Sequence, residues 1–403
     1  MSRFDFSDNF VTRYFDWRRD FYSNLTTGQK IRHRLLQAMV VVSLCIIVGY
    51  ITLNKTVSLP DVPSLPDGAT NLGGNTSASQ LDEDGVLSFD GAEYPSVALS
   101  GRREGVYTFL ILGIDVTSDA TDTIILLTYD TINKTVDGIS LLRDTMVNVG
   151  YANKKLTHVY GYADGSDPAT QVQKGTTAVK NHVANMTGIY PDFYVMLEWE
   201  AVGELVDAIG GVEFEVPFNM NYTDPYQNLY INQAAGLRVL DGQDAMEVIR
   251  YRKDNSGNQI GDTGRTEIQQ DFLMALAKTC LTPEILLKVP AISQIFMDNV
   301  TTDLTVGNIL AFAQQAQGMD FNSGITLSSM PYVDMNRWEG LAYVGVNSSA
   351  MVKLVNQGLN PYVDDIQVSD LKVMVSRSDG SFGVTYSALV DSDLAYPPES
   401  DED

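Results

Sequence analysis

The sequence predicts a layered α/β domain, a mixed central sheet between helices, carried behind one transmembrane helix. Three observations carry that reading. The run Leu35–Leu53 is 19 residues without a charge, close to the ~20 that cross the hydrocarbon core as a helix. Three strand-like runs, the first two nearly continuous in β-branched and apolar residues, follow closely upon one another from Val106 onward. Segments with helical apolar spacing then interleave with further strand-like runs as far as about Tyr362, the pattern of helices layered on a sheet.

Taken in order, residues 1–34 hold Arg3, Arg13, Arg18, Arg19, Lys30, Arg32 and Arg34, whereas Lys55 is the only basic residue between the apolar run and Arg102. By the positive-inside rule residues 1–34 are cytoplasmic, 35–53 span the cell membrane once, and everything after Leu53 lies outside. The long charged lead and the lack of an Ala-x-Ala signal after the run argue against a cleaved signal peptide. Without the seven basic and four acidic residues of the lead, the remainder stands at -27, against -24 for the whole chain. Such a balance excludes a general nucleic-acid binder, which needs a basic face to displace counterions. Of the two cysteines, Cys45 and Cys280, the first lies inside the apolar run, so no disulfide framework supports the fold. Residues 54–102, rich in Pro, Gly, Ser, Asp and Asn, read as an extracellular linker. The domain follows over 103–363, then a C-terminal extension, 364–403, with a hairpin around Ser378–Ser381 and an acidic tail.

Within the domain, strands are expected at 106–114, 123–129 and 136–142, the nearly unbroken apolar character of the first two suiting a sheet covered on both faces. Helices are expected at 170–186, 199–209, after Asp241 and at 266–279. Two more are opened by Pro283 and Thr305. The stretch Ile209–Pro217 reads as a helix ending at glycines and leading into a strand. The connections between the first three strands are shorter than the dozen residues a parallel crossover needs, so these strands run up, down and up. That topology gathers Asp115, Asp122 and Arg143 at one sheet edge.

Two carboxylates suit a hard cation such as Mg²⁺, with Mn²⁺ as the alternative, completed by waters and phosphates. A guanidinium beside them offers a planar fork to a phosphate. Turn aspartates and edge Asp–Arg pairs also serve purely structural ends, and the residues alone leave both readings open. A second basic group lies in "VIRYRKDNSGNQIGDTGRTEIQQ", Val248–Gln270. If the helix after Asp241 ends near Ile249, Arg250 and Arg252 face the same way and can grip one ligand while Tyr251 points away; if it continues, they are a solvated face. Gln270 would add an amide near the start of the next helix, where the dipole favours anions. No His-Glu-x-x-His, Cys-x-x-Cys, Gly-x-Ser-x-Gly or Walker spacing is present, and His158 reads as a loop or core histidine.

In sum, "FLILGID", "TDTIILLTYD", "ISLLRDT", "KLTHVYGY", "DFYVMLEWEAVGELVDAIGGVEFEVP", "GLRVLDGQDAMEVIRYRK" and "GDTGRTEIQQDFLMAL" occur in an order that resembles the LytR-CpsA-Psr family of bacterial cell-wall proteins over about Val106–Tyr362. The resemblance implies a phosphotransferase that moves an anionic glycopolymer, such as teichoic acid or capsular polysaccharide, from a polyprenyl-pyrophosphate carrier to peptidoglycan. It implies Asp115 and Asp122 as metal ligands, Arg143, Arg250 and Arg252 as pyrophosphate-binding and catalytic residues, and Gln270 as substrate-binding. Two departures bear on substrate preference: Ile268 and Thr121 stand where the family often has arginines. The competing classes are a non-enzymatic membrane-tethered sensor or binder of cell-wall precursors and a simple pyrophosphate hydrolase. A polyprenyl tunnel is expected between the sheet and a helical layer, among Phe193–Val202 and Glu284–Phe296.

Overall fold

The computed structural model describes residues 57–62, 87–89, 92–115, 120–163, 165, 167–226, 229–257, 260–280, 300–320 and 323–397. The 1–34 segment, the Leu35–Leu53 run, the helix expected at Pro283 with the tunnel segment Glu284–Phe296, and the end of the acidic tail lie outside them. Among the described residues no helix is long and apolar enough to cross a membrane. In chain order come β1 (Leu87–Phe89), β2 (Ala92–Tyr94), β3 (Val106–Asp115), β4 (Ala120–Asp130), β5 (Thr135–Leu141), α1 (Pro168–Thr187), β6 (Phe193–Glu198) and α2 (Trp199–Ile209). Next are β7 (Val212–Val216), β8 (Met220–Asp224), β9 (Leu229–Gln233), β10 (Gly236–Leu240), α3 (Gly242–Arg250) and α4 (Gly261–Cys280). The remainder holds β11 (Val300–Thr302), α5 (Val306–Gln315), β12 (Ile325–Ser329), β13 (Tyr332–Asp334), β14 (Val344–Val346), α6 (Ser348–Leu354), β15 (Met374–Ser376) and β16 (Phe382–Val384).

The main sheet has six strands in the order β11-β6-β3-β4-β5-β12. β4 is antiparallel to both β3 and β5, as the short connections require, while β6 is parallel to β3 and β12 to β5. The sheet is therefore mixed. One face presents Leu110, Leu112, Ile124, Leu126 and Ile139 to Val179, Val183 and Met186 of α1 and Met351 of α6. The alternate residues Tyr107, Phe109 and Phe193 meet Leu304 and Phe312 of the α5 region on the other face. Burial on both faces is why these strands read as continuous apolar runs rather than as an alternation.

A second core joins α2, α3 and α4 to the ribbons β7–β10 and β8–β9 through Val206, Phe214, Ile231, Val248, Ile268 and Phe272. The α2–α3 crossing is set by glycine. A Cβ on Gly242 would lie 2.2 Å from the Gly203 carbonyl oxygen, so only a residue without one lets the backbones meet. The Gly242 amide also donates to Asp207 Oδ1 at 2.7 Å. Helix ends follow local chemistry: Asp167 caps α1 by accepting from the Ala169 and Thr170 amides, Asp241 caps α3, and Thr305 forms a capping box with Asn308.

Two expectations need correction. The linker expected over 54–102 is folded in its last part, because β1 pairs with β2 and Val97 and Ala98 are buried in the main core. The helix expected over 266–279 begins five residues earlier, at Gly261, and Gln270 lies at its middle rather than in its first turns. The N-terminal dipole therefore does not reach Gln270, since the effect fades beyond the first turn.

Candidate functional site

Asp122 owes its position to an irregularity in the sheet. Gly113 pairs with Thr123 but Ile114 pairs with Thr121, which leaves Asp122 as the extra residue of a β-bulge near the start of β4. Bulges of this kind re-aim a side chain out of the pleat. The β4–β5 register, Ile124 opposite Leu141, carries Arg143 to the level of Asp122. Arg143 Nη1 donates to Asp122 Oδ1 at 2.7 Å, both side chains being about one-quarter exposed. The turn Leu156–His158 supports both strand ends from below: Thr121, fully buried, donates to the Thr157 carbonyl, and the Thr157 amide donates to the Arg143 carbonyl. Burial, followed by the Lys155 charge, pushes the His158 ring below its usual range.

Across the gap stands α4. Gln269, 5 % exposed, accepts from Thr123 Oγ1 at 3.1 Å and donates to the Ile249 carbonyl at 3.2 Å. That carbonyl is one of the acceptors the end of α3 leaves without a helical partner, so one side chain ties β4, beside Asp122, to α3, beside Arg250. One turn earlier, Arg265 is buried at 6 % exposure. Asp122, Thr123, Arg143, Asp144, Arg265, Gln269, Tyr332 and Asp334 line a cavity of about 210 Å³. Thr123 and Gln269 also line a second, apolar slit of about 30 Å³ with Ile111, Gly113, Leu197, Val202, Ile249 and Phe272. The Thr123–Gln269 hydrogen bond is thus the partition between a polar chamber and a greasy one. The slit lies between the sheet and a helical layer, and Leu197 and Val202 fall in the segment named for the tunnel. At this volume it has room for no more than a few water-sized groups.

The polar chamber carries three carboxylates, Asp122, Asp144 and Asp334, against two guanidiniums, Arg143 and Arg265. Its formal balance is therefore one negative charge, and a pyrophosphate entering it needs further positive charge. Among the described residues no group of three acidic, histidine or cysteine side chains forms a ready cage. One or two carboxylates with open positions are what a Mg²⁺ site completed by phosphate oxygens and water requires, so the donor set fits that ion.

The α3 helix does not continue through Arg252. α3 ends at Arg250, and Tyr251 is extended at φ -64° and ψ 131°. Tyr251 is buried while both arginines are exposed. Neither arginine lines the 210 Å³ chamber; they stand on the chain that Gln269 holds at Ile249. Asp115 ends β3 opposite Ala120, but its side chain and that of Gln270 lie outside the described residues. Lys253 sits over the Tyr222 ring, 5.7 Å from its centroid. Arg265 and Gln269 were not singled out from sequence as site residues. A signal existed in the Arg265-to-Gln269 spacing, i and i+4, which places both on one helix face.

The LytR_cpsA_psr family model matches residues 75–359. The chain belongs to the LytR-CpsA-Psr family. Its relatives include the regulatory protein MsrR of Staphylococcus aureus, 24% identical over 207 residues, covering 50% of this chain and 58% of that protein. The polyisoprenyl-teichoic acid–peptidoglycan teichoic acid transferase TagV of Bacillus subtilis is 27% identical over 213 residues, 51% of each chain. The cell wall biosynthesis protein LcpA of Corynebacterium glutamicum is 26% identical over 310 residues, 72% of this chain and 57% of that one. The match thus spans little more than half the length of these curated relatives. In structure, the chain is similar to the crystal structure of B. subtilis TagV, with a TM-score of 0.53 at 22% identity, over 63% of this chain and 96% of that one. The protein gbs0355 of Streptococcus agalactiae gives the same TM-score, 0.53, at 17% identity, over 66% of this chain and 91% of that one. The mixed α/β fold is that of these LytR-CpsA-Psr structures.

Proposed function

We propose that this chain is a membrane-anchored phosphotransferase that moves an anionic glycopolymer from a polyprenyl-pyrophosphate carrier to peptidoglycan. The observation that carries the reading is the pair of chambers meeting at Thr123 and Gln269. A polar cavity with two guanidiniums abuts an apolar slit, and the donor is likewise an anionic head on a hydrocarbon tail. The name of the relative TagV, a teichoic acid transferase, agrees with this assignment. The uncharged run Leu35–Leu53 would hold the domain at the outer face of the membrane, where such a lipid is presented.

A peptidoglycan hydroxyl oxygen attacks the glycan-bearing phosphorus and forms a new P–O bond. The bond to the bridging oxygen breaks, and polyprenyl monophosphate leaves with the electron pair. Arg143 and Arg265 stabilise charge on the phosphoryl and on the leaving phosphate, and Arg250 and Arg252 contact the distal part of the head from the end of α3. Arg143 is pre-set for this by Asp122 and by the backbone bond to Thr157. The hydroxyl proton passes to Asp122 or Asp115. A Mg²⁺ ion held by Asp115 and Asp122 would supply the positive charge that the chamber lacks. The slit is too small to admit a prenyl chain as it stands, so donor binding parts α4 from the sheet around Phe272.

The test is transfer by the full chain in detergent, with donors that share one head but differ in prenyl length. Polymer-linked peptidoglycan is expected, with KM rising as the tail shortens. Indifference of both product and KM to the tail would overturn the two-chamber reading, and tight donor binding without linked product would overturn the transferase.

A further inference from the structure

Outside the chambers already described, the structure has a larger cavity, about 450 Å³, between α1, the loop after β5 and the C-terminal hairpin β15–β16. That is within the ~300–1,000 Å³ of pockets that take small molecules. One wall lies beyond residue 359, where the match to the family model ends. The wall is fastened on both sides: the Lys372 amide donates to the Asn185 carbonyl at 2.8 Å, while Asn148 donates to the Ala388 carbonyl and accepts from the Val390 amide, each at 2.9 Å. Lys154 completes the clasp. Fully buried, its ammonium donates to the Val149 and Tyr151 carbonyls and to Asp391 Oδ2 at 2.6 Å.

The lining chemistry selects a class of ligand. Glu93 and Lys372 are the only charged groups among the lining residues and they cancel. Burial pushes the His182 ring down to about 4, so it too is neutral. A polyanion therefore gains nothing here. Three amides, Asn148, Asn181 and Asn185, line the cavity beside the apolar Met146, Met186 and Val373; Asn148 is engaged with Ala388 and Val390, and Asn181 Oδ1 accepts from the Glu93 amide. Among the described residues the Asn185 side chain and the His182 ring make no hydrogen bond, so donors and acceptors stand ready for a guest. Amides beside apolar side chains match hydroxyl and acetamido groups whose methyls need cover. Tyr386, one residue before the lining Ser387, keeps its side chain exposed at a φ of 50°, a backbone strain of the sort kept at ligand sites.

We propose that this cavity binds a short, uncharged, N-acetylated oligosaccharide stretch, the acceptor strand of the transfer reaction; the acceptor role rests on the transferase reading, whereas the glycan binding does not. The segment Arg143–Asn148 connects the sites, since Arg143 and Asp144 line the anionic chamber and Met146, Val147 and Asn148 the glycan cavity. The five Cα-to-Cα steps from Arg143 to Asn148 span at most about 18 Å, a distance an oligosaccharide bridges.

The experiment titrates the full chain in detergent with a β-1,4-linked N-acetylglucosamine tetramer, and separately with an anionic glycerol-phosphate oligomer, by ligand-observed NMR and calorimetry. Saturable tetramer binding with a Kd on the order of 1 mM or below is expected. It should weaken about tenfold in Asn185→Ala and vanish in Val390→Trp, whose side chain is 63 % exposed at the rim and can block the cavity without entering the core. An unchanged unfolding midpoint in Val390→Trp certifies the fold, and Asn185→Ala serves alone if that midpoint falls. No tetramer binding, equal binding of the anionic oligomer, or binding indifferent to the variants overturns the site. Tetramer binding without any transfer by the wild type sinks the transferase and spares the site. Normal transfer to peptidoglycan by a folded Val390→Trp that no longer binds the tetramer overturns the acceptor role.

Discussion

Gln269 is the side chain on which the geometry of both chambers converges, and its removal gives a calculable result. In Gln269→Leu the Thr123 hydroxyl and the Ile249 carbonyl both lose a partner at a site where Thr123 is 8 % and Gln269 5 % exposed. An unpaired buried polar group costs about 1–3 kcal/mol, so the loss is about 2–6 kcal/mol. Thr123→Val removes a donor and leaves only Gln269 Oε1 unpaired, at about 1 kcal/mol. With both changes the hydroxyl is gone and only the Ile249 carbonyl is orphaned. The double variant should therefore cost about 2–4 kcal/mol less than the sum of the singles. Urea unfolding of the four proteins measures this, with donor KM as the functional readout, which should rise in Gln269→Leu because the chain bearing Arg250 is released. Costs that add within ~0.5 kcal/mol would mean that the two residues act independently, and the partition argument would fall.

Arg250→Ala and Arg252→Ala should each change stability by no more than ~0.5 kcal/mol, both side chains being exposed, yet weaken donor binding several-fold; unfolding curves and donor titrations read the two effects separately. Gly242→Ala forces α2 and α3 apart and should cost about 1–3 kcal/mol, seen as a lower unfolding midpoint and a higher donor KM. The hydrogen bond from Lys154 holds the Asp391 carboxyl below its usual range, so the contribution of this pair is present at neutral pH and is lost as pH falls through that lowered value. Wild type and Asp391→Asn should thus differ in unfolding midpoint at pH 7, and the difference should begin to shrink only as pH falls below about 4. Arg143→Ala should lower kcat by about 10²–10³, the usual effect of losing a donor aimed at transition-state charge, in a transfer assay at saturating donor.

Much of this arrangement was legible in the sequence because strand character and connection length are local properties. Short links between three apolar runs dictate the meander, and the meander dictates that Asp122 and Arg143 meet. The start of α5 was equally readable, since Thr305 acts through nearby backbone, whereas the sequence left the end of α3 open between two alternatives. What stayed hidden depends on distant partners. The bulge that isolates Asp122 is a property of a pair of strands and has no signature in either one. Gln269 is one of two adjacent glutamines, and only the packing of α4 against Thr123 and Ile249 selects it. The start of α4 at Gly261 was obscured by a polar first turn, and the burial of Val97 by the Pro- and Gly-rich stretch before it. Lys154 gives no sequence hint of a buried ammonium, because its counterion, Asp391, lies 237 residues away.

The central claim is that the chain forms a phosphodiester rather than merely holding or hydrolysing its lipid. The most direct measurement is mass spectrometry with ³¹P NMR of the products formed by the full chain from a polyprenyl-pyrophosphate glycan, peptidoglycan and Mg²⁺. One polyprenyl monophosphate released per glycan phosphate joined to a peptidoglycan sugar, with both signals lost in Arg143→Ala, is the predicted result. Free glycan phosphate with no peptidoglycan linkage, or unaltered donor on a protein that binds it tightly, would contradict the account.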